Sequence, residues 1–426
     1  MAIVVVFLRK KMRRLLYLLV LQFCCVVFIS AQWTTGSDIP QKIRAGNTES
    51  HIENGNGYAY VFGGRDDQEL ISNKSYRYNF SAGTWDALAN LPTPILGSSS
   101  AKLGDNIYII GGMVTTPGTV TKKVYKYSIP TNLWSQVADT PNPYTDGDAV
   151  PYQDSLIYTV GSYSGEKSFV YNVNTNKWRA ATSVPSPGTA LAYGALSVVG
   201  NKLIYVGGSN GTFSPTFWNN VWIGEIDQNN RALINWSSGA PFPGETRTFF
   251  EMKPWKDGLI LIGGTTDNTF NTVSSENYFY DPQLNTWTEL PSKPTPWNTG
   301  NATSIFIDGV WKLFCTGGFN EEYLNLTEIY SQERLATSNN SFDQCHIKNM
   351  ATESGMNPKI RFCTKEKGIV SIKIFDATGK MIYQTLNNTK TRNEILSLSH
   401  LNLPAGTYFV TVSQNGVNHA SKIKIF

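Results

Sequence analysis

Histidine and cysteine are scarce in this chain of 426 residues, which contains four histidines and five cysteines. Within the repeats described below, only His51 and Cys315 remain. A copper site draws on imidazole and thiolate ligands, so a copper oxidase is excluded, and we expect no metal and no other cofactor. Charged residues make up 16% and aromatic residues 12% of the chain. This composition is typical of a packed, sheet-rich protein and not of a disordered one.

Basic residues outnumber acidic residues in this chain only because both of its ends are basic. Residues 1–31 carry five basic and no acidic side chains, and residues 344–426 carry 11 Lys and Arg against 4 Asp and Glu. The residues between these ends therefore have a net charge of −8. Nucleic-acid binding needs a basic face, so we expect no nucleic-acid partner.

The first 31 residues have the pattern of a signal peptide. Basic residues between positions 9 and 14 precede an apolar stretch from Leu15 to Ile29, and Ser30-Ala31 offers a small-residue cleavage site. Met12 is a second possible start. An uncleaved membrane anchor is the alternative, but the apolar run is short for a bilayer span. We therefore expect a secreted chain with no membrane span after cleavage.

Six short apolar runs end in glycine at regular spacing. Their first glycines are 48, 50, 46, 56 and 54 residues apart. The first five runs are followed by an aromatic residue and then by a tryptophan. The runs end at Gly63-Gly64, Gly111-Gly112, Gly161-Ser162, Gly207-Gly208, Gly263-Gly264 and Gly317-Gly318. The aromatic pairs downstream are Tyr78 and Trp85, Tyr127 and Trp134, Tyr171 and Trp178, Trp222 and Trp236, and Tyr280 and Trp287.

A unit of about 50 residues with this pattern resembles the kelch repeat, in which each unit forms a four-stranded blade of a β-propeller. The apolar runs suit strands near a buried axis, and glycine permits the positive φ needed where the strand ends. The aromatic residues supply large surfaces that pack one blade against the next. An ordinary β-sandwich with incidental aromatics is the alternative, and six matched units disfavour it.

The sixth run is followed by Tyr330 but by no tryptophan, whereas Trp33 lies near the start of the chain without a preceding run. We infer that the strand around Trp33 is the outer strand of the last blade, whose other strands come from about residues 304–332. Such a closure removes the open edge that a ring of sheets would otherwise expose. The predicted fold is all-β, with a six-bladed propeller over residues 32–332 that is closed by an N-terminal strand.

Residues 333–354 are polar and are predicted to be a linker, followed at 355–426 by a small Ig-like antiparallel β-sandwich. This last segment resembles the type A C-terminal sorting domain of proteins exported by the Bacteroidetes type IX secretion system. The resemblance implies export across the outer membrane and contact between residues 355–426 and the secretion machinery. A generic Ig-like adhesion domain is the alternative. The matching residues are Asn357-Pro358, residues 370–376 running into Gly379-Lys380, residues 403–408, and Lys422-Ile423-Lys424.

Three cysteines follow the signal peptide. Cys315 lies in an apolar strand and is predicted to be a buried small hydrophobe. Cys345 and Cys363 flank the linker and could form a disulfide in an oxidising compartment, which one sequence leaves open.

One face of the propeller is predicted to bind a ligand. In an antiparallel four-stranded blade, the connection into the first strand and the loop after the second strand lie on the same face. Kelch proteins as a family bind ligands there with arginines and small polar residues, and Gly63-Gly64-Arg65 resembles that pattern. The candidate ligand-binding residues are Arg44, Arg65, Asp66, Tyr163, Asn210, Arg247, Asp267, Asn320 and Glu321.

These observations favour a secreted or surface-displayed propeller that binds a glycan or a protein, with no catalytic residues assigned. The alternative is a metal-free sugar epimerase or mutarotase, which needs only acid and base groups. A structural spacer is a third possibility. The side chains available for acid–base chemistry are Glu245, Arg247, Glu251 and Glu321.

Overall fold

The computed structural model divides into two compact units, residues 1–335 and 336–426, and each unit is described by itself. The described residues contain β-strands and no α-helix, and none of their helical turns is long and apolar enough to cross a membrane. The structure describes residues 31–115, 118–163, 168–185, 191–211, 216–267, 272–332, 348–350, 359–363, 368–376, 381–389, 393–398, 401, 403–404, 406–414 and 417–425.

The first unit contains six four-stranded antiparallel sheets, and in five of them neighbouring strands pair in sequence order. The fourth strand of sheet 6 is the first strand of the chain, β1 (Ala31–Thr35). Sheet 1 consists of β3 (Asn47–Glu53), β4 (Asn56–Phe62), β6 (Ser75–Asn79) and β7 (Thr84–Ala87). Sheet 2 consists of β8 (Ser99–Leu103), β9 (Asn106–Ile110), β10 (Val124–Ser128) and β11 (Leu133–Val137). Sheet 3 consists of β12 (Asp148–Tyr152), β13 (Leu156–Val160), β14 (Phe169–Asn172) and β15 (Lys177–Ala180).

The second half of this unit repeats the pattern. Sheet 4 consists of β16 (Ala195–Val199), β17 (Lys202–Val206), β18 (Val221–Ile226) and β19 (Ile234–Ser238). Sheet 5 consists of β20 (Glu251–Trp255), β21 (Gly258–Ile262), β22 (Asn277–Asp281) and β23 (Thr286–Leu290). Sheet 6 consists of β24 (Asn301–Ile307), β25 (Val310–Thr316), β28 (Thr327–Gln332) and β1. Short strands outside the sheets are β2 (Ile43–Arg44), β5 (Arg65–Asp66), β26 (Phe319–Asn320) and β27 (Glu322–Tyr323).

The six sheets form a ring around a common axis. Their first strands contact one another in the order β3, β8, β12, β16, β20 and β24, and β24 contacts β3 again. The second strands, which carry the apolar runs, are almost entirely buried; β13 and β21 are buried at every position. This arrangement is the all-β propeller that the repeat predicts.

The N-terminal strand completes the last sheet. β1 pairs antiparallel with β28, and Trp33 lies directly opposite Tyr330. The two rings are 5.3 Å apart, the same kind of contact that Tyr78 and Trp85 make at 5.3 Å in sheet 1. Trp33 therefore occupies the position of the tryptophan that the sixth run lacks.

Each repeat tryptophan also joins its sheet to the one before it. The indole Nε1 of Trp134 donates to the carbonyl of Ala89, and that of Trp178 donates to the carbonyl of Ala138, in each case in the connection that leaves the preceding sheet. An indole N–H that is partly buried needs such an acceptor. The same bond is made by Trp85 to Ser37, Trp236 to Thr182, Trp287 to Ala240 and Trp33 to Pro291.

Sheet 4 departs from the expected aromatic pairing. Trp236 lies opposite Gly224 and not opposite Trp222, which faces Ser238. A Cβ atom on Gly224 would lie 2.6 Å from the Trp236 ring, so the ring occupies the space that a tyrosine fills in the other sheets. The absence of a side chain at Gly224 therefore makes room for the Trp236 ring, and no aromatic residue lies opposite it.

The second unit contains two sheets with one core. Buried residues from both sheets, among them Ile360, Val370, Ile372, Leu398 and Val410, pack together. The smaller sheet consists of β29 (Lys348–Met350), β30 (Lys359–Cys363) and β33 (Asn393–Ser397). The larger consists of β32 (Met381–Thr389), β31 (Gly368–Phe375), β34 (Gly406–Gln414) and β35 (Val417–Ile425).

Several predicted features lie outside the described residues. These are positions 1–30 of the signal peptide, most of the linker at 333–354, the Asn357-Pro358 pair, the turn at 377–380, and Cys345 of the possible disulfide. Cys315 is described and is buried, with 1% of its surface exposed.

Candidate functional site

The connections into the first strands and the residues after the glycine pairs lie together, as strand polarity predicts. In sheet 1, Arg44 of β2 pairs with Arg65 of β5. Four other sheets make an equivalent single bridge on the same face, so in five of the six sheets the crossing segment lies against the post-glycine segment at one end of the propeller axis. The bridges are Leu96 to Met113, Ala192 to Ser209, Thr248 to Thr265 and Asn298 to Phe319.

A closed ring of six backbone hydrogen bonds lies at this end of the axis. Each member donates its amide to the carbonyl of the equivalent residue in the preceding sheet, over 2.7 to 3.3 Å, and Ala45 donates to Thr299 to close the cycle. All six members have positive φ. In order around the axis the members are Ala45, Gly97, Asp146, Tyr193, Phe249 and Thr299.

Positive φ is unfavourable for bulky side chains, so Tyr193 at 62° and Phe249 at 55° are held there by the surrounding structure. The residue after each ring member is closely packed, and four of the six are glycine. A Cβ atom on Gly46 would lie 2.8 Å from Oδ1 of Asn301, for example, which leaves no room for a side chain. Backbone strain at this ring fixes the direction in which its side chains project.

The ring lies at one end of a cavity of about 740 Å³ along the axis. The cavity is lined by the ring residues and by the first strands of all six sheets. This volume is within the range of small-molecule sites. Ile52 and Phe306 line the cavity farther along these strands, and Trp311 of β25 lines it as well.

Three aromatic side chains stack beside the ring of backbone hydrogen bonds. The rings of Tyr193 and Phe249 are 4.2 Å apart at an interplanar angle of 32°, and that of Tyr163 lies 6.1 Å from Tyr193. Tyr163 is 47% exposed, so the stack runs from solvent to the cavity lining. Of the nine predicted residues, Tyr163 is the one that this stack contains.

Arg44 and Arg65 lie on the other side of the ring, next to Ala45. The Arg44 guanidinium lies between the Phe319 and Tyr323 rings, 5.1 and 5.0 Å from their centroids, and donates to the Tyr323 hydroxyl at 3.0 Å. That hydroxyl donates to Glu69, which also pairs with Arg65 at 2.8 Å. The hydrogen bond from Tyr323 and the nearby arginines lower the pKa of Glu69. This cluster is a charged rim in which both predicted arginines are engaged with protein partners.

A second group of charges lines the cavity interior. Lys253 pairs with Glu251 at 2.8 Å, and Glu49 and Asp148 face the same space. Burial raises the pKa of all three carboxyl groups, and Lys253 partly offsets it. Burial alone would lower the pKa of Lys253. The neighbouring carboxylates, Glu251 above all, together have the larger effect, so the pKa of Lys253 is raised. None of these residues except Glu251 was a sequence candidate.

Asp146 is the one ring member that can carry charge. Burial raises the pKa of Asp146 to about 7, although its carboxylate accepts a hydrogen bond from the Thr145 hydroxyl at 3.1 Å. Asp146 is not among the candidate ligand-binding residues that the sequence offered. Its protonation state therefore changes near neutral pH.

Arg247 is enclosed by protein. It is 1% exposed, its guanidinium lies 4.8 Å from the centroid of the Phe242 ring, and it pairs with Glu276 and donates to Ser274 at 2.8 Å. A ligand arriving from solvent would have to displace these partners. We therefore leave Arg247 out of the contact surface proposed below.

The other predicted residues are distributed over the loops. Asp66 is 9% exposed and accepts from the amides of its own turn, at Gln68 and Leu70. Asn210 accepts from the Thr216 amide, and Asp267 from the Thr272 hydroxyl. These three side chains stabilise the loops in which they lie. Asn320 is half-buried in β26, and Glu321 is exposed in the following turn.

Two family models match the chain. One, described as the Attractin/LZTR1 beta-propeller, matches residues 59–326. The other, described as the secretion system C-terminal sorting domain, matches residues 357–425. The solved structure entitled "Structure of YjhT" is similar with a TM-score of 0.56 and 17% sequence identity, covering 70% of this chain and 99% of that one. At this identity the likeness concerns the fold.

Three curated relatives carry the name N-acetylneuraminate epimerase. The proteins from two Haemophilus influenzae strains, 86-028NP and PittEE, are 28% and 30% identical over 190 residues, which is 42% of this chain and 44% of each relative. The Pasteurella multocida (strain Pm70) protein is 31% identical over 134 residues, or 31% of this chain and 32% of that protein. The chain thus spans less than half the length of the curated relatives it matches.

The raised pKa of Asp146 predicts a pH-dependent penalty on folding. The folded carboxyl group titrates near 7 and an unperturbed one near 3.8, so the folded state binds more protons between these values. Its contribution to stability is therefore lost as the pH rises through this window. We expect Asp146→Asn to have a higher Tm than the parent at pH 8. The increase should be about 2–4 °C for each kcal/mol by which the substitution lowers the cost of burying this charge in the folded state. At pH 4 the two should differ much less.

Differential scanning fluorimetry of both proteins across this pH range measures the effect. Asp154→Asn, in an exposed turn, is the matched control and should follow the parent at both pH values. An Asp146→Asn advantage that is equal at pH 4 and pH 8 would contradict the assignment.

Proposed function

Because the chain belongs to the Attractin/LZTR1 beta-propeller family and ends in a secretion system C-terminal sorting domain, we propose that it is a secreted or surface-displayed propeller that binds a glycan at the ring end of its axial cavity. The observation that carries this proposal is the stack of Tyr163, Tyr193 and Phe249, which leads from solvent to the cavity. Flat aromatic faces bordered by polar groups suit a ring-shaped ligand with many hydroxyls.

The shape of this end favours a glycan over a folded protein. A stable protein interface buries on the order of 800 Å² on each partner and is broad, whereas small ligands enter concave sites of about 300–1,000 Å³. The cavity, at about 740 Å³, fits the second case. The Asp146 carboxyl group, which lines the cavity at the hydrogen-bonded ring, supplies a hydrogen-bonding group for such a ligand.

We predict that Tyr163→Ala weakens glycan binding about tenfold, or about 1.4 kcal/mol, which is within the range of a stacked aromatic contact. A glycan array with the purified chain would find the ligand, and calorimetric titration would compare the variants. Leu284→Ala removes an apolar side chain that is 72% exposed and does not line the cavity, so its affinity should equal the parent's. Equal affinity of Tyr163→Ala and the parent would contradict the site, and an array without hits would favour a protein ligand or a spacer role.

A sugar epimerase or mutarotase is the second candidate, and the relatives named N-acetylneuraminate epimerase favour it. Of the acid and base groups that the sequence offered, Glu245 and Glu321 are exposed, whereas Glu251 lines the cavity with a raised pKa. Carboxyl groups tuned upward by burial are suited to proton transfer near neutral pH.

If this candidate is right, anomer interconversion of N-acetylneuraminate followed by NMR should exceed the buffer rate, and Glu251→Gln should lower the excess at least 100-fold. Glu245→Gln is the matched control. A rate equal to that of buffer would remove the candidate and leave the binding proposal in place.

The rest of the chain is proposed to deliver the propeller. Residues 1–31 act as a cleaved signal peptide, residues 333–354 as a linker, and residues 355–426 engage the type IX secretion machinery. The match of the sorting-domain model to residues 357–425 supports this.

Deletion of residues 344–426 should abolish export in a host with that machinery, with the propeller retained in the periplasm. Cell fractionation with an antibody to the propeller measures this. Tyr163→Ala, which leaves the sorting segment intact, should be exported like the parent. Export of the deleted chain at the parental level would contradict the assignment.

A further inference from the structure

The axial cavity has a second end, which is apolar. Phe306 follows Thr299 of the hydrogen-bonded ring by seven residues along the chain. At about 3.3 Å per residue of extended chain, Phe306 lies roughly 20 Å from the ring. Ile52 of β3 and Phe306 of β24 both line the cavity there and are 47% and 49% exposed. The cavity therefore meets solvent at this end as well, beside large apolar side chains of the kind that mark interaction sites.

Two aromatic side chains form a platform at this second end. Phe306 of β24 and Trp311 of β25 lie directly opposite each other in sheet 6, and their rings are 5.5 Å apart. Trp311 also lies 5.9 Å from the ring of Trp255 in sheet 5, which is 1% exposed. A buried ring thus supports Trp311 at the seam between sheets 5 and 6. We call Phe306 and Trp311 the distal aromatic pair.

Charged side chains line the wall between the two ends of the cavity. Glu49 and Lys253 are the third residues of β3 and β20, and Lys102 is the fourth residue of β8, whereas Phe306 is the sixth residue of β24. Filling the space beside such groups with an apolar chain removes their water without replacing its hydrogen bonds, which costs free energy. Hydroxyl groups both donate and accept, so a sugar in the same space can replace the water.

The order of aromatic, charged and aromatic surfaces along the axis selects the kind of ligand. An alkyl chain suits Ile52 and Phe306 but would have to pass between Glu49 and Lys253. A single sugar contacts the aromatic stack at the ring or the distal aromatic pair, because it is too short to reach both. A linear oligosaccharide carries apolar ring faces and hydroxyl groups along its whole length, so it matches all three surfaces.

We propose that the cavity binds a linear oligosaccharide along its axis, with one sugar unit against Tyr163 and Tyr193 and another against the distal aromatic pair. This inference rests on the proposed function, because the contact with the stack is the one proposed there. Once one unit is bound, the second contact forms within the same complex, so the two contacts together raise the affinity.

Native mass spectrometry and calorimetric titration of the purified full chain test this proposal. The probes are cello-, chito-, manno-, xylo- and malto-oligosaccharides, each from the monosaccharide to the tetrasaccharide. In a series that binds, we expect the tetrasaccharide to bind at least tenfold more tightly than the monosaccharide, because only the longer chain reaches both ends of the cavity.

Substitutions in the distal aromatic pair locate the second contact. Phe306→Ala, at a half-exposed position that is compatible with folding, should weaken tetrasaccharide binding about tenfold and leave monosaccharide binding unchanged. Trp311→Ala should have the same effect, whereas Tyr163→Ala should weaken the binding of both. Leu284→Ala is the matched control, since this apolar side chain is 72% exposed and lies outside the cavity lining, and it should behave like the parent.

The outcomes separate this inference from the function on which it rests. Equal affinity for monosaccharide and tetrasaccharide would overturn the axial oligosaccharide and leave the glycan-binding proposal standing. A gain with chain length that persists in both Phe306→Ala and Trp311→Ala would overturn the assignment to the distal aromatic pair. Binding of none of the probes, together with an empty glycan array, would overturn both proposals.

Discussion

The closed ring of six backbone hydrogen bonds is the constraint on which the rest of this propeller depends. It joins residues about 50 positions apart and requires positive φ at every member, including Tyr193 and Phe249. A hydrogen bond between backbone groups fixes position to a fraction of an ångström, so the six first strands all begin at the same level on the axis. The cavity, the aromatic stack and the ionisable Asp146 follow from that alignment.

A second set of contacts joins neighbouring sheets at the periphery of the propeller. Each of the six tryptophans donates its indole N–H to a carbonyl in the connection leaving the preceding sheet, and Trp33 of β1 makes the sixth such bond, to Pro291. Neighbouring sheets are thus joined at the axis by backbone and at the periphery by side chains. Closure by β1 places the first and last parts of the propeller in one sheet, so the ring has no open edge.

The features that could be predicted from the sequence are those in which the same residue types recur from one repeat to the next. The glycine and tryptophan pattern predicted the all-β propeller, and strand polarity placed Arg44 and Arg65 on one face. The hydrogen-bonded ring was missed because its members share only a backbone conformation, while their side chains range from glycine to tyrosine. The glycines that follow four members, at Gly46, Gly147, Gly194 and Gly300, are the signal that could have found it. The enclosure of Arg247 by Phe242 and Glu276 depends on packing that no spacing encodes.

The central claim is that the ring end of the axial cavity is where a sugar binds, with its ring against the aromatic stack and its polar groups toward the cavity wall. A crystal structure of the protein with its best glycan-array ligand tests this most directly. The account predicts a sugar in contact with Tyr163 and Tyr193, with its polar groups directed toward the cavity wall. A sugar bound on the outer strands or at the opposite end of the axis, with the ring end occupied by solvent alone, would contradict it.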